Sequence, residues 1–335
     1  MTVLDVRELT VDYTQRGRPP FRAVEGVSFS LTAGRTLALV GESGSGKSTV
    51  VRALSRLVPV TSGEIRLGGQ RRVRGAAYRR AVQMVFQDPF ASLNPAHDIA
   101  HHLRRPLLVT GRARDRAEAD RKALELLEAV NLTPAADVAR KRPRELSGGQ
   151  RQRVAIARAL APQPRVLLAD EPVSMLDVSI RLEILTLLDR MRRERDLALL
   201  YVTHDLATAR HFAAEVMVMY RGEIVERGPS DEVILRPRHP YTQLLASAAP
   251  NSAATRQEAR AARAARLAAR ARRDAERREV VVGEGCRFRP RCPHALPVCA
   301  RRPPEADTGG GHRVRCWLAD RRPAAAPPSD ASRRG

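Results

Sequence analysis

Residues 36–49 read TLALVGESGSGKST. The apolar run LALV ends in glycine, the next positions satisfy G-x-x-x-x-G-K-[ST], and a helical pattern follows. An apolar run without alternation is a strand buried on both faces, as found in parallel sheets covered by helices. Gly41, Gly44 and Gly46 let the backbone wrap phosphates and aim its N–H groups at them, with the positive end of the helix behind. Glu42, Ser43, Ser45 and Thr49 complete this loop. Lys47 is placed to reach β- and γ-phosphates, and the Ser48 hydroxyl to ligate Mg²⁺. Only Lys47, Lys122 and Lys141 are lysine in a chain whose other cations are arginine. A compact ammonium suits a site where a guanidinium is too bulky. The bland reading is a glycine-rich turn, and it weakens with each motif further along.

Working outward, residues 3–40 alternate apolar and polar and predict antiparallel strands. A helix is expected from Lys47 to about Leu57, then strands at GEIRLGG and VQMVFQ. The pattern turns helical from Asp88, with an amphipathic stretch at 115–130, which predicts a helical insertion over about 88–164. RVLLAD (165–170) and LALLYVTHD (197–205) read as further buried strands around the helix ILTLLDRMRRER, and EVMVMYRGEIVERG as a hairpin. The β–α alternation implies an α/β fold with a mostly parallel sheet, an antiparallel β subdomain and an inserted helical subdomain. Residues 251–279, rich in Ala and Arg, predict a linker, 280–322 a cysteine-bearing module, and 323–335 a disordered tail.

The net charge of +22 raises nucleic acid or an anionic membrane as partners. Residues 251–335 hold 20 arginines against nine acidic residues, so half of the excess sits in the last quarter. No basic surface is interleaved with stacking aromatics, and nucleic acid is not expected as a partner. The longest strongly apolar run, LALLYV, is too short to cross a bilayer, and MTVLDVRELT does not read as a signal peptide.

Asp170 ends the strand RVLLAD and is followed at once by Glu171. Alone, such a pair caps a loop or helix. Downstream of a phosphate loop it is placed to hold Mg²⁺ through Asp170 and to polarise an attacking water through Glu171. LSGGQRQR (146–153) supplies a second glycine-led helix start, a second anion site for which one nucleotide has no use.

At this point residues 1–250 resemble the ATP-binding cassette (ABC) ATPases, with a P-loop NTPase core. The resemblance implies that Ser147, Gly148, Gly149 and Gln150 grip the γ-phosphate of ATP held by the phosphate loop of a second subunit. It also implies that Tyr13 stacks on adenine, that Gln87 in VFQDP senses Mg²⁺ and contacts the permease, and that Asp177 ends a loop crossing the dimer. His204 in VTHD would be the switch histidine at the γ-phosphate. Met175 stands where the family often has alanine. Glu171 and His204 are both present, which implies a hydrolysing subunit.

FQDPFASLNP (86–95) and RHPYTQLLASAAP (238–250) resemble the oligopeptide, dipeptide and nickel importer ATPases. The four cysteines follow, spaced Cys286-x5-Cys292-x6-Cys299-x16-Cys316. Short C-x(2–4)-C knuckles suit structural zinc, and these gaps are wider. The resemblance implies a [4Fe–4S] cluster on Cys286, Cys292, Cys299 and Cys316. Zn²⁺, with His294 or His312 as a substitute ligand, and free thiols or disulfides stand as alternatives.

The expectation is therefore an ATPase that powers a membrane importer of peptides or a related solute. Its expected partners are transmembrane permease subunits, a second ABC ATPase in a homo- or heterodimer and, indirectly, an extracellular solute-binding protein. Its expected place is the cytoplasmic face of the cell membrane. A soluble ABC ATPase acting on ribosomes or DNA, or a redox-regulated ATPase, is the alternative.

Overall fold

The computed structural model describes residues 1–14, 17, 19–247 and 285–319. The predicted linker at 251–279 and tail at 323–335 lie outside them.

Strands β1 (Thr2–Tyr13), β2 (Phe21–Thr32) and β4 (Ser62–Leu67) form an antiparallel sheet in the order β2-β1-β4. A second sheet is built on β3 (Thr36–Val40), β5 (Val82–Val85), β6 (Val166–Asp170), β7 (Ala198–Thr203) and β8 (Glu215–Tyr220). Its parallel part runs β8-β3-β7-β6-β5. The hairpin partner β9 (Glu223–Pro229) joins β8 antiparallel, as the sequence predicts.

The parallel strands are mostly apolar because both faces are covered, with polar residues such as Thr36, Asp170, Thr203 and Glu215 at their ends. Leu37 and Leu39 of β3, Val166 and Leu168 of β6, and Leu200 and Val202 of β7 pack toward the antiparallel sheet and helix α1 (Lys47–Leu54). The alternate residues Ala38, Val40, Leu167, Ala169, Leu199 and Tyr201 join the other core. There they meet α4 (Ile99–Val109), α5 (Arg116–Ala129), α6 (Ala135–Arg140), α7 (Gly148–Leu160) and α8 (Val178–Glu194). Short helices α2 (Gly75–Ala81) and α3 (Pro89–Ser92) flank β5, and α9 (Leu206–Phe212), α10 (Ser230–Leu235) and α11 (Pro240–Ser247) close the cassette.

Three boundaries differ from expectation. Helix α1 stops at Leu54, because Ser55 caps it and Arg56 turns left-handed at φ 56°. Strand β5 ends at Val85, since Gln87 leaves the sheet to face a neighbouring strand end. Helix α8 starts at Val178, six residues before ILTLLDRMRRER, with exposed Val178 and Leu182 on its first turns.

The described carboxy-terminal residues 285–319 lie against the cassette. Strands β10 (Ala306–Asp307) and β11 (Arg313–Val314) extend the large sheet beyond β9. Phe288, 1% exposed, inserts among Tyr220, Tyr241 and His239. Burying one such ring contributes about 2–3 kcal/mol, so this segment is held by the main core.

Candidate functional site

The loop from Gly41 to Gly46 leaves the carboxyl end of the central strand β3 and enters α1. Gly46 has φ 109°, and a Cβ there would stand 2.5 Å from the Ala23 carbonyl. Gly41 has no room either, because its Cβ would meet the Met219 carbonyl at 2.3 Å. The Ser45 carbonyl accepts from Gly222 N at 2.8 Å, which ties the loop to the β8–β9 turn. Ser43 and Gly44 are exposed at the rim.

Lys47 is 4% exposed, and its Nζ donates to the carbonyls of Gly41 at 2.8 Å and Glu42 at 2.9 Å. Burial pulls its pKa below the ordinary value, against the opposing pull of Glu171, Asp170 and Glu42. Neighbouring Ser48 donates its hydroxyl to Asp170 Oδ1 at 3.1 Å. Asp170 is 4% exposed, and burial raises its pKa, helped by the nearby Glu171 charge and opposed by the Ser48 bond. Two hard oxygen donors therefore lie side by side at the foot of the loop, a donor set that suits Mg²⁺. Tyr13 places its hydroxyl 3.5 Å from Thr49 Oγ1 at the same helix start.

Glu171 follows β6 with a left-handed backbone, φ 45°, an uncommon conformation for a side chain of this kind. Its amide donates to the Val202 carbonyl on β7 at 3.0 Å. Its Oε2 accepts from Gln87 Nε2 at 3.2 Å and lies 3.3 Å from His204 Nδ1. The His204 bond holds the carboxyl below the usual range despite burial, and the same bond raises the imidazole. Three strand ends, β5, β6 and β7, thus deliver Gln87, Glu171 and His204 to one cluster beside Lys47. Ligand sites in open α/β sheets lie at this edge.

Ser147 caps α7: its hydroxyl accepts from Gln150 N at 3.2 Å, and Gln150 Oε1 accepts from Ser147 N at 3.0 Å. This reciprocal capping box fixes the helix start. Gly148 and Gly149 face Leu176 and Ile180 respectively. The side-chain bonds of Ser147 and Gln150 are spent within this turn. Asp177 precedes α8 without a side-chain capping bond, and Met175 beside it is 59% exposed.

The four cysteines of the carboxy-terminal segment come together. Cys286, Cys292, Cys299 and Cys316 border one cavity with His294 and Trp317. Yet no group of three or more His, Cys, Asp or Glu side chains stands ready to hold a metal among the described residues, and the four are free thiols. Cys299 Sγ takes the Leu296 amide and Cys316 Sγ the Leu318 amide, each at 3.5 Å, and burial raises the thiols of Cys286, Cys292 and Cys316, the last to about 11. His312 stands apart from the residues that border this cavity, and its Nε2 lies 2.7 Å from Glu226 Oε1, both side chains buried.

Sequence reasoning missed the work of the HPYT stretch. Its His239 amide donates to Glu226 Oε2, and its Tyr241 hydroxyl accepts from the Glu42 amide at 2.9 Å. The tyrosine is fully buried, so the phosphate loop leans on α11.

Comparison with known proteins agrees with this geometry. A family model for the ABC transporter matches residues 24–174, and one for the oligopeptide/dipeptide transporter C-terminal region matches 225–299. A di/tripeptide transport ATP-binding protein of Pseudomonas aeruginosa is 41% identical, over 95% of this chain and 98% of its own. An oligopeptide transport ATP-binding protein of Bacillus subtilis is 39% identical, over 95% and 97%. Among solved structures, a dimeric ATP-binding cassette in a post-hydrolysis state with ADP and phosphate is 30% identical, with TM-score 0.60 over 68% of this chain and 98% of that one.

Proposed function

Because this chain belongs to the ABC transporter family, as an ATP-binding subunit of the oligopeptide/dipeptide importer type, we propose that residues 41–49 hold ATP and that Glu171 drives its hydrolysis to power import of peptides or a related solute. The observation that carries this reading is the Glu171 carboxylate, bridged to Gln87 and His204 beside the buried Lys47.

In this reading Lys47 exchanges the carbonyls of Gly41 and Glu42 for the β- and γ-phosphates, with the loop amides and Ser43, Ser45 and Thr49 around them. Tyr13 stacks on the adenine. Ser48 and Asp170, with Gln87 nearby, would hold Mg²⁺, which would supply neutralisation of phosphate charge. Glu171 orients and polarises the attacking water. While bonded to His204 it is a weak base, because the imidazole favours its ionised form. Once His204 turns to the γ-phosphate, Glu171 loses that partner and becomes a better proton acceptor. Ser147, Gly148, Gly149 and Gln150 act on ATP bound to a second subunit. The exposed Met175, Asp177, Val178 and Leu182 face that subunit.

Among the described residues no helix is long and apolar enough to cross a membrane. The proposal therefore places the chain at the cytoplasmic membrane face, on separate permease subunits, beside a like or unlike ABC ATPase and upstream of an extracellular solute-binding protein. It extends to the cysteine cavity: Cys286, Cys292, Cys299 and Cys316 would be the thiolate ligands of a [4Fe–4S] cluster, with Zn²⁺ as the alternative. Four soft donors around one cavity, two already receiving amide hydrogen bonds, support it.

The test is anaerobic affinity purification of Glu171→Gln from native membranes in mild detergent. Multi-span permeases, a second cassette ATPase and a solute-binding protein are expected with it, and iron with acid-labile sulfide in the chain. Ribosomal proteins or DNA without a permease would overturn the transport reading, and an iron- and zinc-free chain the metal reading.

A further inference from the structure

Arg291 lies in the 3₁₀ turn Arg289–Arg291, directly before Cys292 and outside the cassette proper. Its guanidinium grips Glu42 of the phosphate loop with two bonds, Nη1 to Oε2 at 3.0 Å and Nη2 to Oε1 at 3.1 Å. Both side chains are mostly withdrawn from solvent, 16% and 19% exposed. Tyr220 and Phe288 present their ring faces to the same guanidinium at 5.7 Å, and Tyr241 holds the Glu42 amide. A forked donor seated between rings is a designed fit for arginine, and lysine cannot reproduce it.

Glu42 places a carboxylate within the phosphate loop. Its carboxylate acts on Lys47, the cation meant for phosphate, and a negative charge within the loop opposes a polyanionic ligand. We propose that Arg291 is a positioning residue for ATP: from the cysteine segment it draws the Glu42 carboxylate away from the phosphate path and neutralises it there, so that nucleotide affinity depends on how that segment is docked. Arg291 is carried by the turn that Cys292 caps, so the segment's docking sets where the guanidinium lies. The inference rests on the ATPase reading and assigns a role to residues beyond the cassette motifs.

The experiment measures ATP affinity by calorimetry, on the full chain with Mg²⁺ chelated to prevent hydrolysis, together with KM and kcat in Mg²⁺. Arg291→Ala and Arg291→Gln each remove the charge, and Gln keeps most of the bulk, so whichever folds by thermal melting serves. The expected result is about tenfold weaker ATP binding and a matching rise in KM, with kcat changed much less. Adding Glu42→Gln to that variant removes the charge left behind and is expected to restore most of the affinity. Normal affinity in a folded charge-less variant overturns the proposal. So does a loss that Glu42→Gln leaves unrepaired, since that result means the Glu42 charge is not what Arg291 controls. A wild-type chain that binds no ATP would instead sink the ATPase reading itself, which keeps the two failures apart.

Discussion

Nδ1 of His204 lies 3.3 Å from Oε2 of Glu171, joining the ends of β7 and β6 across the mouth of the phosphate loop. The two side chains differ in exposure, 59% for the histidine and 14% for the glutamate. The glutamate is therefore the fixed member and the histidine the one free to swing.

Glu171→Gln keeps the shape and removes the charge. Phosphate release is expected to fall by about 10²–10⁴-fold, the range for loss of a positioned acid or base, while ATP still binds. Comparing turnover with equilibrium ATP binding checks this, and a parallel loss of both would assign Glu171 to binding alone.

The same pair sets a pH dependence. His204 is raised above its ordinary value first by its bond to Glu171. Its contribution to stability is thus complete below the unfolded value near 6.5 and fades as pH rises through the folded one. An NMR titration of His204 should show a midpoint above 6.5 in the wild type and a lower one in Glu171→Gln. An unmoved midpoint would mean the bond does not persist in solution.

At the start of α7, adjacent glycines should respond differently to alanine. A Cβ on Gly148 meets Leu176 at an ordinary 3.5 Å, whereas one on Gly149 stands 2.7 Å from Ile180 Cγ2. Alanine gains roughly 1 kcal/mol of helix propensity at either site, but the β-branched Ile180 is stiff and overpacking costs about 1–3 kcal/mol. Gly148→Ala should melt at or above the wild-type temperature and Gly149→Ala below Gly148→Ala. Equal melting of the two would show that α8 yields at Ile180.

Acid should loosen α11. His239 is 1% exposed, and burial drives its pKa down to about 4, against the pull of Glu226. A depressed folded value gives stability that is present above pH 6.5 and lost as pH falls toward 4. Its Nδ1 accepts from the Tyr241 amide, a bond that protonation at that nitrogen breaks. Melting between pH 7 and 5 should therefore drop more steeply in the wild type than in His239→Asn, and identical slopes would place the titration elsewhere.

Local physics made much of this legible. Unbroken apolar strands, the glycine-led phosphate loop and the Asp170–Glu171 pair can be read in order, because a loop that wraps phosphate needs glycine and a strand buried on both faces needs no polar residue. Gln87 and His204 were legible only by joint spacing. Their meeting on Glu171 depends on β5, β6 and β7 lying side by side, a matter of strand order that one strand does not encode.

The chain by itself determined the ATP-binding cassette and its parallel sheet, since the phosphate loop and the buried strands follow from periodicity and from chemistry carried by neighbouring residues. Only the tertiary structure decided what the last segment does. Glu42 and Arg291 are 249 positions apart, and Tyr241 holds the Glu42 amide across 199. No spacing rule predicts such contacts. They exist because Phe288 is buried among Tyr220, Tyr241 and His239, and burial of that ring sets the neighbouring arginine against the phosphate loop.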